Sequence, residues 1–265
     1  MKTKIVAALG AALIATPVLA ADLPMKAPAP IGAAWSWAGW YAGVNLGYGV
    51  GDPSVSENSS SPLTGASFLS NSAATNADGI IGGAQIGYNW QSAPNWLVGV
   101  EADFQESAQK HTAWFSSAGF TPTADTVGVD VDWFGTVRGR IGYIVNNSNV
   151  WYVTGGYAYG RTELALTSTN FQFPGIVANG ATHKTSSGWT IGGGLESRLF
   201  GNWTAKLEYD FLDFGTKSEN FGGAFTNPQN GNPVVPAIIT TNVTQRINEV
   251  KFGLNYKLDP GFLFW

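Results

Sequence analysis

Apolar and polar side chains alternate with a period of two along most of the chain from Gly39 onward. In Trp40-Tyr41-Ala42-Gly43-Val44-Asn45-Leu46-Gly47-Tyr48 the even positions are apolar, while the odd positions are mainly glycine or polar. That is the pattern of a strand with one greasy face. It returns seven more times and predicts strands over 39–49, 79–91, 96–105, 129–145, 150–161, 186–199, 203–214 and 245–258. An even strand number suits a closed single-chain bacterial barrel, and most of these segments reach the about 9–11 residues that cross a bilayer when tilted.

The connections alternate in length. Ser92-Ala93-Pro94-Asn95, Asn146-Asn147-Ser148-Asn149 and Phe200-Gly201-Asn202 are tight and built from turn-forming residues. Between them lie longer segments, 50–78, 106–128, 162–183 and 215–244, rich in Ser, Thr, Asn, Gly and Pro, which are expected to be loops. Short periplasmic turns and long outer loops are the asymmetry of outer-membrane barrels.

Parity sorts the two faces of each strand. Val131, Trp133, Val137 and Ile141 point one way, and Asp132, Thr136, Arg138 and Arg140 the other. Ala205, Leu207, Tyr209 and Phe211 oppose Lys206, Glu208 and Asp210, and Val250, Phe252, Leu254 and Tyr256 oppose Lys251 and Asn255. The apolar set is large and aromatic, and the polar set mixes glycines with opposite charges. Both fit a barrel turned inside out, with lipid outside and an ion-paired lumen. An Arg or Lys on the lipid face would cost about 2–4 kcal/mol at mid-bilayer. The lumen network expected from parity is Glu101, Asp103, Asp132, Arg138, Arg140, Glu196, Arg198, Lys206, Glu208 and Lys251. Trp40, Tyr88, Trp90, Trp96, Tyr143, Trp151, Trp203 and Tyr256 fall at the turn-side ends of their strands; Trp133, Tyr159, Trp189 and Phe211 fall toward the loop side. Two aromatic belts at the membrane–water boundaries are therefore expected. Fold class and faces together read as all-β: an eight-stranded antiparallel up-and-down transmembrane β-barrel.

Composition agrees with this picture. Only 12% of residues are charged, against about 25% in a typical globular domain. There are 34 Gly, and Trp, Tyr and Phe make up 13%. After residue 20 nothing approaches the roughly 18 consecutive apolar residues of a spanning helix. The N-terminus predicts the compartment: Lys2 and Lys4, an apolar run from Ile5 to Pro17, and Val18-Leu19-Ala20 describe a signal peptide cleaved between Ala20 and Ala21. The expected organisation is a signal peptide over 1–20, a proline-rich periplasmic tether over 21–38, the barrel over 39–258 and a C-terminal tail over 259–265. Removing the two leader lysines leaves 12 basic against 18 acidic residues, a balance that argues against a nucleic-acid partner. Zero cysteines leave packing and backbone pairing to provide stability.

Several stretches resemble the alphaproteobacterial outer-membrane immunogenic-protein family of small OmpA-like β-barrels, often called porin-family proteins. They are Ala21-Asp22-Leu23-Pro24 after the export signal, Trp37-Ala38-Gly39-Trp40-Tyr41-Ala42-Gly43-Val44-Asn45 and Gly82-Gly83-Ala84-Gln85-Ile86-Gly87-Tyr88-Asn89-Trp90. Val137-Arg138-Gly139-Arg140-Ile141-Gly142-Tyr143, Gly155-Gly156-Tyr157-Ala158-Tyr159-Gly160, Gly188-Trp189-Thr190-Ile191-Gly192-Gly193-Gly194-Leu195-Glu196 and Lys206-Leu207-Glu208-Tyr209 continue the match. The resemblance covers the strands and not the loops. It implies a cell outer-membrane location, lipid and lipopolysaccharide as surroundings, and insertion by the barrel-assembly machinery. Such families usually end on an aromatic residue; here Leu258 holds the last alternating place and Trp265 lies beyond it, so either Leu258 or Trp265 is expected to act as the terminal assembly signal.

Candidate chemistry is sparse, and no catalytic, metal or cofactor site is expected. His111 and His183 lie in expected loops without an acidic partner at a recognisable spacing, and Asp125 and Asp130 read as solvated. Gly192-Gly193-Gly194 sits inside a strand, where no phosphate loop can form. An eight-stranded barrel has an interior just wide enough for its own side chains, so the ten charged lumen residues read as a plug. The expected role is a structural and antigenic surface protein. The alternatives are a porin-like channel for small solutes, and loop-mediated contact with a ligand or host. That contact would use Phe68, Trp114, Phe115, Phe120, Phe171, Phe173, Phe221 and Phe225.

Overall fold

The computed structural model describes residues 35–60, 67–74, 77–117, 123–170, 176–226 and 233–258. The expected signal peptide with its Ala20–Ala21 cleavage point, most of the tether, the tail with Trp265, and the loop residues Phe120, Phe171 and Phe173 lie outside them. Ten strands follow in chain order: β1 (Gly39–Gly51), β2 (Ser54–Ser60), β3 (Ser67–Ala74), β4 (Ala77–Ala93), β5 (Trp96–Ser117), β6 (Thr123–Val145), β7 (Asn149–Asn170), β8 (Ile176–Arg198), β9 (Trp203–Thr226) and β10 (Pro233–Lys257).

Eight of them form a ring in the order β1-β4-β5-β6-β7-β8-β9-β10, and the antiparallel pairing of β10 back onto β1 closes it. That last ladder runs from Tyr41–Lys257 to Gly51–Ile247. Where β1 stops, β2 takes its place against β10, from Thr244–Ser54 to Ile238–Ser60, and β3 returns antiparallel to β2. The β2–β3 hairpin thus extends the wall instead of decorating it.

Turn-side strand ends fall within two residues of those expected from the alternation, as do the loop-side ends of β1 and β4, but the loop-side ends of the other six do not. Strands β5 to β10 run far into the segments read as loops, over 106–117, 123–128, 162–170, 176–183, 215–226 and 233–244. The turns match their residues. Asn146 and Asn147 have φ of 53° and 55°, and the Ser148 N–H bonds the Val145 carbonyl at 3.3 Å. These are the φ signs of a type I′ hairpin turn, which asparagine tolerates.

The wall changes polarity along its length. In the turn-side half, Val44, Leu46, Ile86, Val137, Ile141, Val153 and Phe252 stand exposed on the outside, while Asn45, Gln85, Arg138, Thr154 and Lys251 are buried inside. In the loop-side half the inward set is apolar: Ile81, Val131, Phe134, Ala158, Leu212, Phe214 and Ile247 form one cluster. Val55, Val127, Val129, Leu164, Leu166, Phe221, Ile239 and Val243 form a second. Outside them runs a polar ladder of cross-strand pairs, Thr216–Thr244, Ser218–Asn242 and Thr240–Asn220.

Two irregularities re-phase the strands at this change. The β6–β7 register shifts between Val131 and Trp133, so Val127, Val129 and Val131 turn inward on the parity opposite to Phe134, Thr136 and Arg138. Val131 therefore does not share the outer face with Trp133, as simple alternation implied. On β9, Gly215 has φ +68°, and inward positions change from even (Leu212, Phe214) to odd (Phe221) across it. One extra residue per bulge exchanges the two faces of everything beyond.

The exposed apolar band is stable only against hydrocarbon. Val153→Arg is expected to destabilise the barrel by about 2–4 kcal/mol in vesicles. Trp114, 73% exposed on the polar half, should tolerate Trp114→Arg within about 0.5 kcal/mol. Urea unfolding of both variants in vesicles checks this, and equal costs would contradict the lipid-facing assignment.

Candidate functional site

The turn-side lumen is filled by charge. Arg138 on β6, Arg140 on β6, Lys206 on β9 and Lys251 on β10 are buried together with Glu101, Asp103, Glu196, Glu208, Asp210 and Glu249. Arg138 is the hub. Its Nη2 donates to Glu101 at 2.6 Å, Asp103 at 2.9 Å and Glu208 at 3.0 Å, and its Nη1 to Asp210 at 2.7 Å. One guanidinium thus joins β5 to β9 across the lumen, using the planar fork that an ammonium lacks. Lys206 Nζ donates to both oxygens of Glu101, at 2.8 and 3.0 Å. Lys251 Nζ lies 2.9 Å from Asp210 and 2.7 Å from Glu249.

Six carboxylates against four cations leave an acidic surplus. Neutral donors offset it. Tyr41 donates to Glu101 at 2.8 Å, Tyr152 to Glu208 at 2.6 Å, Thr204 to Glu196 at 2.6 Å and Asn255 to Glu196 at 2.9 Å. Asp103 accepts from both the backbone and the hydroxyl of Thr136. Arg140 bonds Glu196 at 2.8 Å and lies over the Tyr152 ring at 4.2 Å, a cation–π contact that needs no further acid. Burial of this many charges is tolerable only because partners satisfy them.

Inward glycines give the long stems room. A Cβ on Gly253 would sit 2.9 Å from Lys206 Cγ, one on Gly47 2.9 Å from Lys251 Cγ, and one on Gly99 3.0 Å from Arg140 Cγ.

Of the ten residues expected in the network, the structure brings Glu101, Asp103, Arg138, Arg140, Glu196, Lys206, Glu208 and Lys251 together. Two stand elsewhere. Asp132 falls at the β6 register shift and pairs with Arg161 at 3.4 Å in a half-exposed position. Arg198 is exposed at the turn end of β8, beyond the filled lumen. Tyr41, Tyr152, Asp210 and Glu249 complete the cluster; the parity that found Lys206 and Lys251 also marks Asp210 and Glu249 as inward.

The turn-side aromatics point outward and interlock. Trp40 meets Tyr88 at 5.1 Å, Tyr88 meets Trp90 at 4.6 Å, Trp96 meets Tyr143 at 5.4 Å and Trp203 meets Tyr256 at 5.1 Å. Trp151 is exposed on the same rim. On the loop side Trp133 contacts Phe104 at 5.5 Å and Tyr159 at 6.1 Å, and Trp189 contacts Phe211 at 5.5 Å. Below the turn-side rim Trp37 is buried, its indole N–H donating to the Asn147 carbonyl at 3.3 Å. The end of the expected tether is therefore packed against the turns.

In the polar-walled half, Glu57 on β2 is 2% exposed. Burial, with Asp125 beside it and hydrogen-bonded to it, pushes its carboxyl up to about 7. Asp125 is itself buried, contrary to its reading as a solvated residue, because β6 continues through the segment taken for a loop. His183 is exposed with Nδ1 3.9 Å from Glu163. Among the loop aromatics Trp114 is exposed and Phe221 is buried. Among the described residues no three His, Cys, Asp or Glu side chains form a metal-binding group.

A closed antiparallel ring with lipid-facing apolar residues and an ion-filled interior defines a small outer-membrane β-barrel. The outer membrane protein beta-barrel domain family matches residues 6–257, and the chain belongs to that family. It is 36% identical over 222 residues to the 31 kDa outer-membrane immunogenic protein of Brucella melitensis, covering 82% of this chain and 89% of that protein. A 22 kDa outer membrane protein of Rhizobium leguminosarum is 30% identical over 207 residues, with 78% of each chain covered. Among solved structures, the outer membrane protein OprG of Pseudomonas aeruginosa aligns at 15% identity and a TM-score of 0.46 over 83% of this chain and 97% of that one, too distant to carry an argument.

Two outcomes follow. Arg138→Met leaves four carboxylates without their shared cation and is expected to cost about 3–5 kcal/mol. Arg198→Met should cost about 0.5 kcal/mol or less, and urea unfolding in vesicles separates them. Glu57 binds its proton more tightly when buried than when unfolded, so its contribution is fully present below the ordinary glutamate range and is lost as pH rises through about 7. Hydrogen exchange of the β2–β3 hairpin, corrected for intrinsic rates, should show weaker protection at pH 8 than at pH 5, and Glu57→Gln should remove the difference.

Proposed function

We propose that this protein is a structural and antigenic surface barrel of the cell outer membrane, closed to solutes and without catalytic activity. The filled lumen carries this reading. Arg138, Glu101, Glu208, Asp210 and Lys251 span the interior from β5 and β6 to β9 and β10, and two apolar clusters stand beyond them. A channel needs a continuous wet path, which this stacking of ion pairs and hydrocarbon does not offer.

The two outward aromatic rims mark the boundaries of the lipid and lipopolysaccharide around the barrel. Insertion depends on the barrel-assembly machinery, with Leu258, whose N–H bonds the Trp40 carbonyl at 2.9 Å, or Trp265 as the terminal signal. The immunogenic relatives support surface display of the loop-side extension, whose polar exterior, including Thr216, Ser218 and Thr240, suits water and host contact.

Planar-bilayer recording tests the reading. The purified barrel should insert without steady single-channel current, and large steady currents from the wild-type chain would replace the closed lumen with a porin.

A further inference from the structure

At the loop-side aromatic rim the outer face carries two arginines held in the same way. Arg161 on β7 meets Asp132 through its Nε, at 3.4 Å. Arg246 on β10 donates from its Nε to Asp213 at 3.2 Å. Neither guanidinium has another hydrogen-bond or ion-pair partner among the described residues. Both lie outside the wall, since β7 buries Ala158 and Leu164 on the opposite parity and β10 buries Val243, Gln245 and Ile247. Their side chains are 43% and 55% exposed. An aspartate on Nε fixes the plane of a guanidinium and leaves its two terminal amino groups as a fork. That fork matches two oxygens of one phosphate or carboxylate.

Each fork stands beside an aromatic cluster. Arg161 is opposite Trp133 in the β6–β7 ladder, and Trp133 contacts Phe104 and Tyr159. Asp213, which holds Arg246, is opposite Trp189 in the β8–β9 ladder, and Trp189 contacts Phe211. Amphipathic rings settle at the headgroup level of a bilayer, so both forks lie where lipid phosphates lie. The surrounding charge is mixed. Glu163 and Asp130 are ladder partners next to Arg161, and Lys110 is 3.8 Å from Asp130. No strong field of one sign draws an anion here, and recognition rests on the geometry of the fork.

We propose that Arg161 and Arg246 are two docking sites for a phosphorylated glycolipid of the outer leaflet. Each fork takes one phosphate group, and the acyl chains lie on the aromatic clusters around Trp133 and Trp189. This deepens the surface-barrel reading by naming the residues that meet the lipid. It rests on the aromatic rims marking the membrane boundaries and not on the closed lumen. Lipid binding and single-channel recording therefore read out separately, and either reading can fail alone.

Native mass spectrometry of the full chain in non-ionic detergent with EDTA, titrated with bisphosphorylated lipid A, tests it. Two bound lipids per barrel are expected. Arg161→Met and Arg246→Met should each remove one, and the double variant should bind at least about tenfold more weakly. Arg161→Lys combined with Arg246→Lys keeps both charges without the fork and should lose binding to a similar extent. Lys110→Met removes an exposed cation one step further out and should bind as wild type. Dephosphorylated lipid A should bind at least about tenfold more weakly, and equimolar inorganic phosphate should not compete, which separates a lipid site from a free-phosphate site. Heat-modifiable gel migration establishes that each variant is folded. Absence of binding, wild-type affinity in the double lysine variant, equal affinity for the dephosphorylated lipid, or competition by inorganic phosphate would each overturn the proposal.

Discussion

A strand crossing hydrocarbon has no water to satisfy its N–H and C=O groups, so every edge of a membrane sheet must find a partner. In this chain the last edge is met by the ladder between β1 and β10, which turns a run of hairpins into a ring. Closure at eight strands then limits the interior to the width of its own side chains. Lipid demands apolar residues outside, alternation places the polar set inside, and the narrow interior forces those polar groups into mutual contact. The Arg138 hub and its four carboxylates are the product of that confinement. Tyr41, Tyr152, Thr136, Thr204 and Asn255 belong to the same solution, since they donate to carboxylates that outnumber the cations.

Beyond the bilayer the same wall meets water, and the hydrophobic effect reverses its patterning. Val127, Leu164, Phe221 and Ile239 turn inward, while Thr216, Ser218 and Thr240 turn out, as in a water-soluble barrel. The lumen therefore holds two unlike materials, ion pairs on the turn side and hydrocarbon beyond. The register shift at Asp132 and the bulge at Gly215 are where β6 and β9 change phase to suit the new surroundings. The change on β9 has a structural cost, because β8 does not change with it and the ladder between them ends. Weakness in the wall and inversion of its faces thus share one origin.

Much of this was legible in the residues alone. Strict alternation located the eight membrane strands and their turn-side ends, and the parity of Arg138, Lys206, Glu208 and Lys251 placed them inside because a charge facing lipid is costly. Asn146-Asn147 and Gly201 marked the hairpins because they accept positive φ. Family membership followed from the same strand segments.

Tertiary structure decided what local pattern could not. Ser-, Thr- and Asn-rich segments look like loops, and only pairing with a neighbour shows that they are strands whose outer face meets water. A single bulge residue moved Asp132 out of the network and reversed Val131, a displacement invisible to alternation because it depends on register between strands. Glu57 and Asp125 lie far apart in the chain and met only when β2 and β6 came to share one lumen. The sequence determined which residues face in or out along each strand, since that is a local matter of period two. Which inward residues touch, and where the wall comes apart, depended on closing the ring.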